Sequence, residues 1–368
     1  MLTLLSLLSL ASWVYLFFFH GCFWRSAPQL PPAAALQLPD VDVIVPARNE
    51  RPTIDAAIGS LLAQDYPGRL RITLVDDEST DGTAAAAGTA PNLRIMRGAA
   101  KPEGWSGKLW AIAQGVAATD APVILFTDAD IVHDPAHLSS LVARLAQPHT
   151  ALVSEIVRLN CTSVAERLLV PAFVYFFQML YPFAKVNDPG SRVAAASGGT
   201  VLIRRDALAA AGGIEAIRGA LIDDVALASA VKRVGPIYLG HSGLAVSIRP
   251  YPHFIDIWRM IVRTAFTQLR RSGWLLAATL AGMTIVWLIP VWEILFGAGW
   301  RLLAGLGAFA LAALSFAPTL DRYRCSPWLV FALPAIAAFY MAATLGSACT
   351  QWFGKGVHWK NRDYGTPS

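Results

Sequence analysis

Apolar residues gather at the two ends of this chain, and between them they recur with the periods of strands and helices. Residues 2–24 contain no Asp, Glu, Lys or Arg, a run long enough to cross the roughly 30 Å hydrocarbon core of a bilayer. Three more charge-free stretches lie near the C-terminal end, at 272–292, 302–320 and 326–354. The last is longer than one span needs, and Pro334 within it makes it a candidate re-entrant or interfacial segment. A fifth apolar stretch, 168–184, interrupts the middle of the chain, with Glu166 and Arg167 before it and Lys185 after it. Spanning there would split a domain across the bilayer, so either an interfacial helix or a buried core helix is expected.

The middle of the chain reads differently. Residues 41–45 form a short β-branched run, 54–62 have helical spacing, 70–75 make a second strand and 93–96 a weak third. A helix follows over 109–116, then a fully apolar fourth strand over 123–126. Strand and helix alternate and the strands look buried on both faces, which predicts an α/β domain with a parallel sheet covered by helices on both sides. In such sheets ligands bind beyond the carboxyl ends of the strands.

Composition sharpens this picture. Of 368 residues, 55% are hydrophobic and 15% charged, fewer charges than a soluble chain of this length carries. The expected organisation is an N-terminal anchor over 1–25, a Pro/Ala-rich linker over 26–40, a domain over 41–271, a membrane region over 272–354 and a basic tail over 355–368. A cleaved signal peptide is disfavoured, because Phe17, Phe18 and Phe19 stand where small residues should be. Arg25 after the first segment places the domain on the cytoplasmic side. Three full C-terminal spans then put Lys355, Lys360 and Arg362 outside, against the positive-inside rule. The net charge of +5 suits an anionic membrane leaflet, and no basic-aromatic stripe points to nucleic acid. Cys22, Cys161, Cys325 and Cys349 lack CxxC spacing and read as packing residues in a reducing compartment.

The strand ends carry the chemistry. The first ends in Pro46-Ala47-Arg48-Asn49-Glu50, the second in Asp76-Asp77-Glu78-Ser79-Thr80-Asp81-Gly82-Thr83, the fourth in Thr127-Asp128-Ala129-Asp130. Turn and cap roles explain Ser79, Thr80, Gly82 and Thr83. They explain Asp128 and Asp130 poorly: two carboxylates one residue apart after a buried strand repel unless a cation joins them. Hard oxygen ligands at this spacing suit Mg²⁺ or Mn²⁺, with diphosphate oxygens completing the shell. Ser197-Gly198-Gly199-Thr200 precedes another apolar run, and Asp223-Asp224 opens a helical pattern. One Asp there satisfies a helix start; a second, with its pKa raised by its neighbour, suits a general base. Gln268-Leu269-Arg270-Arg271-Ser272 stands before the C-terminal apolar block. With Arg259 and Arg263 it also fits a positive-inside anchor. His241 and His253 read as core or surface residues.

Taken in order, Asp76 to Thr83, Asp128-Ala129-Asp130, Asp223-Asp224 and Gln268-x-x-Arg271 resemble family 2 glycosyltransferases of the GT-A fold, from residue 41 to about 272. Gly104-Trp105-Ser106-Gly107-Lys108, Ala165-Glu166-Arg167-Leu168-Leu169, Gln178-Met179-Leu180-Tyr181-Pro182-Phe183 and Thr264-Ala265-Phe266-Thr267-Gln268-Leu269 are similar to the hopanoid-biosynthesis-associated type, related to ceramide glucosyltransferases. The resemblance implies a GT-A, Rossmann-like domain that binds a nucleotide sugar, with transmembrane helices at both ends. Pro46, Arg48 and Glu50 would line the nucleotide pocket, Asp76 and Asp77 hold a uracil and ribose, and Lys108 approach the phosphates. Asp128 and Asp130 would form the DxD that binds the divalent cation and the donor, and Asp224, beside Asp223, would be the base. Gln268 and Arg271 would lie near the diphosphate and the acceptor.

In processive relatives the last motif ends in Trp; here the position is Ser272, with Trp274 two residues on. This favours transfer of a single sugar, and a single base implies inversion at the anomeric carbon. The expected protein is a metal-dependent enzyme in the bacterial cytoplasmic membrane that glycosylates a lipid, a hopanoid by resemblance. The alternatives are a processive polysaccharide synthase and a non-catalytic carrier or scaffold. Carriers usually show internal repeats and more spans, and a scaffold would be expected to have lost a carboxylate cluster.

Overall fold

The computed structural model describes residues 2–25, 28–353, 357–359 and 362–364. Lys355 and Lys360 of the expected basic tail, and Ser26 and Ala27 of the expected linker, lie outside the described residues. The chain forms two units, Ala27–Asn160 with Lys185–Pro250, and Met1–Ser26 with Cys161–Ala184 and Tyr251–Ser368.

The first unit is built on eight strands: β1 Val41–Ala47, β2 Leu70–Asp76, β3 Leu93–Arg97, β4 Val123–Phe126, β5 Ile131–His133, β6 Leu152–Arg158, β7 Val201–Arg204 and β8 Ile237–Ser247. They lie in the order β3-β2-β1-β4-β7-β6-β8-β5. β3, β2, β1 and β4 are mutually parallel, as the alternation of strand and helix predicts. Beyond β4 the all-parallel expectation fails. β7 runs antiparallel to both β4 and β6, and β5 antiparallel to β8. A short apolar run such as 201–203 marks a buried strand but carries no sign of its direction. The sheet is therefore mixed.

β1 shows why the parallel half is the core. Val41, Val43, Ile44 and Val45 are all buried, as a strand covered on both faces requires. Helix Arg51–Leu62 buries Ile54, Ala57, Ile58 and Leu61, the spacing of one helical face. Helix Gly107–Ala117 begins at Ser106, whose Oγ accepts from Leu109 N at 3.3 Å. It packs tightly on β1: a Cβ added at Gly115 would stand 2.5 Å from Ile44 Cγ2. That close approach fixes the start of the helix, and with it Lys108, beyond the sheet's carboxyl edge.

The second unit is mainly helical, with one short antiparallel pair of strands, Val357–Trp359 and Arg362–Tyr364. Leu2–Phe19, Gly273–Phe296, Trp300–Arg322 and Pro327–Phe353 are each long and apolar enough to cross a membrane. Fully buried Glu293 binds Arg301 through both carboxylate oxygens, at 2.9 and 3.1 Å, and accepts from Ser6 Oγ at 2.8 Å. A charge so placed is tolerated only when paired.

The apolar stretch 168–184 falls mainly within helix Val164–Leu180. Within the helical unit, Tyr175 Oη meets Ser315 Oγ at 2.6 Å and Tyr340 Oη donates to Leu169 O at 2.9 Å. The Phe176 ring lies 4.9 Å from that of Tyr340 and 5.7 Å from that of Trp287. The domain expected over 41–271 is thus not one continuous body, because Cys161–Ala184 and the chain from Tyr251 onward group with the apolar helices. All four cysteines are free thiols; Cys161 and Cys325 approach to 3.7 Å between their sulfurs.

Glu166 anchors the start of helix Val164–Leu180. Its carboxylate accepts from Thr162 N at 2.9 Å, Ser163 N at 2.8 Å and Tyr251 N at 2.7 Å. Burial alone would raise its pKa, but these donors outweigh it and bring it down to about 2. A lowered carboxylate pKa stabilises the fold above the unfolded value near 4.5, and the contribution is lost as pH falls toward about 2. Glu166→Gln, which turns an NH₂ toward these donors, should lower the unfolding temperature in detergent, by an amount equivalent to about 1–3 kcal/mol. An unchanged unfolding temperature would contradict this account of the helix start.

Candidate active site

Three loops at the carboxyl edge of the parallel strands bring opposite charges together. Lys108 stands in the first turn of its helix and Asp128 directly follows Thr127 at the end of β4. Asp223 and Asp224 open helix Asp223–Val231. Lys108 Nζ lies 2.9 Å from Asp128 Oδ1 and 3.0 Å from Asp223 Oδ2. Asp224 Oδ1 accepts from Val225 N at 2.8 Å, and Oδ2 accepts from Gly198 N at 2.9 Å. Gly198 is where the groups meet: a Cβ there would be 3.0 Å from Lys108 Nζ, 3.6 Å from Asp224 Oδ2 and 3.7 Å from Asp128 Oδ2. Pro46 lines the same cavity.

The titrations follow from this crowding. Burial disfavours the Lys108 ammonium, but Asp128, Asp223 and Asp224 together hold its pKa well above the ordinary lysine range. Burial raises the pKa of Asp128, Asp130 and Asp223 repel its charge further, and Lys108 only partly offsets them. Asp224 is pushed up to about 6 by burial and by Asp223, against Lys108 and the two backbone donors. A carboxylate poised there is ionised at neutral pH yet readily protonated.

The other expected residues form two further groups in this unit. Arg48 Nη1 donates to Asp77 O at 2.6 Å and lies 3.6 Å from Glu78 Oε2. Asp77 is buried, and Asp76 Oδ1 accepts from Ser79 N at 3.1 Å. The third group was not foreseen. Arg249 places Nη2 2.7 Å from Glu50 Oε1 and Nε 3.0 Å from Asp130 Oδ2, where Ser247 Oγ also donates at 3.0 Å. Only the pairing of β5 with β8 delivers Ser247 and Arg249 beside Asp130, and no local motif announces that. The buried side chains of His133, His137 and Glu155 were not singled out either. Gln268 and Arg271 belong to the helical unit, where Gln268 Nε2 donates to the Tyr181 hydroxyl.

Comparison with known proteins bears on this arrangement. Residues 42–212, which hold the Asp128 and Gly198 loops, match the family model described as glycosyl transferase family 2. An N-acetylglucosaminyltransferase of Bradyrhizobium elkanii is 30% identical over 134 residues, covering 34% of this chain and 71% of that one. The chain belongs to glycosyl transferase family 2. This family 2 enzyme is also 34% identical over 103 residues to a β-monoglucosyldiacylglycerol synthase of Synechocystis, a match that spans 27% of this chain and 21% of that protein. Among solved structures, a mannosyltransferase of Pyrobaculum calidifontis in complex with GDP-Man and Mn²⁺ superposes with a TM-score of 0.58 at 22% identity. The superposition covers 94% of this chain and 99% of that one, and it shows a shared GT-A-like fold.

The raised pKa of Asp224 is also a statement about stability. The folded enzyme holds that proton more tightly than the unfolded chain, so ionising Asp224 weakens the fold as pH rises from the ordinary value of 3.8 through about 6. Asp224→Asn turns an NH₂ toward the Gly198 or Val225 N–H, a cost that does not vary with pH, so the parent should lose stability relative to the variant as pH rises from 4 to 7.5. A stability difference between the two that does not change over this pH range would contradict the raised pKa.

Proposed function

We propose that this family 2 enzyme inverts configuration as it moves one sugar from a nucleoside diphosphate donor, UDP-linked, to a membrane lipid on the cytoplasmic face. The observation that carries the reading is the Asp224 carboxylate, fixed by the Gly198 N–H at 2.9 Å beside the Lys108–Asp128 pair. It puts a proton acceptor next to a cation suited to a diphosphate.

Asp76, Asp77, Arg48 and Pro46 hold the nucleoside, Glu50 supports the pocket through Arg249, and Lys108 turns from the carboxylates to the donor phosphates. The acceptor hydroxyl attacks the anomeric carbon from the face opposite the diphosphate, and the new glycosidic bond forms as the bond to the leaving oxygen breaks. Asp224 takes the hydroxyl proton, with Asp223 keeping its pKa high. Gln268 and Arg271 are assigned to the diphosphate and the acceptor.

The residues fit a divalent cation, Mg²⁺ or Mn²⁺. Asp128 keeps 36% of its side-chain surface exposed, and its partner Lys108 reaches it on a long unbranched side chain that can turn to another anion. Arg249 and Ser247 bind Asp130 through Oδ2. Among the described residues no three His, Cys, Asp or Glu side chains converge to hold a metal unaided, so donor oxygens would complete the shell, as they do for hard cations in nucleotide sites. When bound, the metal neutralises charge developing on the leaving diphosphate.

The lipid acceptor is supported by four helices able to cross a membrane and by the Synechocystis relative, which is named for a glycolipid. Arg25 supports placement in the bacterial cytoplasmic membrane with the site inside. Ser272, where processive relatives carry Trp, supports one transfer per acceptor. The hopanoid resemblance makes hopanoids the acceptors to assay first.

The test is transfer of labelled sugar from nucleotide donors by purified enzyme in lipid bilayers. EDTA should abolish transfer and Mn²⁺ or Mg²⁺ restore it. Asp130→Asn should remove activity without unfolding the protein. Asp224→Asn should lower turnover by on the order of a hundredfold, with donor affinity little changed. Full activity in excess chelator would rule out the metal, and greater damage from Asp223→Asn would move the base one residue. A water-soluble acceptor used as efficiently as any lipid would end the lipid assignment.

A further inference from the structure

A line of buried polar side chains runs from the site into the sheet, and the chemistry above does not use it. Thr127 Oγ1 lies 2.8 Å from Gly199 O and 3.0 Å from His133 Nε2. His133 Nδ1 is 2.8 Å from His137 Nδ1, and His137 Nε2 is 3.0 Å from Glu155 Oε2. Glu155 Oε1 accepts from Leu30 N at 3.4 Å. Thr127, His133, His137 and Glu155 are each 3% exposed or less.

One proton order places a hydrogen in every contact along this line, with Gly199 O accepting from Thr200 Oγ1 as well. A carbonyl oxygen only accepts, so the Thr127 hydroxyl donates to Gly199 O and must accept from His133 Nε2–H. Burial and His137 keep His133 neutral, with its pKa well below the ordinary histidine value. Its Nδ1 is then an acceptor, and His137 Nδ1–H donates to it. That leaves one proton between His137 Nε2 and Glu155 Oε2, whichever atom carries it, so the pair has no net charge. Burying two imidazoles and a carboxylate adds little net stability. What the line does supply is a single direction for the Thr127 hydroxyl.

That direction matters because of what Thr127 holds. Gly199 follows Gly198, whose N–H binds Asp224 at 2.9 Å. On its other side the turn is held by Ser197 N donating to Ser154 Oγ at 2.9 Å. A Cβ at Gly199 would meet both Val157 methyl groups at 3.0 Å, so the turn is packed closely and can be aimed.

We propose that the Thr127–His133–His137–Glu155 line is the positioning device for Asp224, fixing the Gly198–Gly199 turn so that the Gly198 N–H aims the carboxylate. This rests on the reading of Asp224 as the base. None of the four need touch substrate. They act through the turn.

The experiment measures kcat and donor KM for transfer in five variants, each made also on an Asp224→Asn background. Thr127→Val removes the hydroxyl and keeps the shape; Glu155→Leu removes the far end. Both should lower kcat by roughly tenfold to a hundredfold, the scale of a misplaced catalytic group, with donor KM unchanged. Thr127→Ser and Glu155→Gln keep every donor and acceptor, the glutamine amide donating to His137 Nε2, and should retain kcat within about threefold. His133→Phe should behave as Thr127→Val does. On the Asp224→Asn background all these losses should vanish, since there is no base left to aim.

Wild-type kcat in Thr127→Val while Asp224→Asn is inactive overturns the positioning role and leaves the base assignment standing. Equal losses with and without Asp224, or Glu155→Gln as damaged as Glu155→Leu, also overturn it. Full activity in Asp224→Asn itself would instead overturn the base assignment, and the positioning role with it. If Glu155→Leu fails to fold, Thr127→Val against Thr127→Ser decides the matter.

Discussion

One ammonium group sets the state of everything around it. Lys108 Nζ sits within 3.0 Å of two carboxylates from different loops, Asp128 and Asp223. Without it, Asp128, Asp223 and Asp224 would face one another across a half-buried cavity with no cation to offset their repulsion. With it, Asp128 and Asp223 each gain an ion pair, which for Asp128 only partly offsets burial, while Asp224, which the lysine reaches only at longer range, has its pKa pushed up to about 6. Distance to one lysine separates the two aspartates it pairs from the one it does not. The lysine in turn is placed by Ser106 capping its helix and by Gly115 letting that helix rest directly on Ile44. A packing contact at one end of the helix is in this way coupled to the electrostatics at the other.

The sheet explains why these loops meet. β1, β2 and β4 run parallel, so their polar ends share one edge. β7 runs antiparallel to β4, with Val201 opposite Phe126, and this reversal brings the Ser197–Thr200 turn to the same edge from the opposite direction. The turn offers a backbone N–H where even a Cβ would stand 3.0 Å from Lys108 Nζ, so the glycine at 198 leaves the lysine head its room. A glycine in that place serves close approach and not a left-handed turn.

Much of this was legible in the chain. Alternating strand and helix signals gave the parallel half of the sheet, because buried β-branched runs and helical periodicity are local patterns. The carboxylates at 76–77, 128, 130 and 223–224 stood out because paired like charges after apolar runs need a reason. What was not legible depends on pairing between distant strands. Arg249 reaches Asp130 and Glu50 only because β8 lies beside β5. His133 and His137 look like ordinary core histidines until the sheet stacks Thr127, Gly199 and Glu155 against them. The grouping of Cys161–Ala184 with the apolar helices is likewise a tertiary fact; an apolar helical run has the same sequence signature in a protein core and at a membrane.

The central claim is that Asp224 accepts the acceptor's proton with a pKa set by Asp223, Lys108 and burial, and the pH dependence of kcat/KM for sugar transfer tests it most directly. The account predicts an acid limb with a midpoint near 6, falling tenfold per pH unit below it, and present in the parent enzyme but absent from the residual activity of Asp224→Asn. A profile that stays flat from pH 7 down through this value, or an acid limb that persists unchanged in Asp224→Asn, would contradict it.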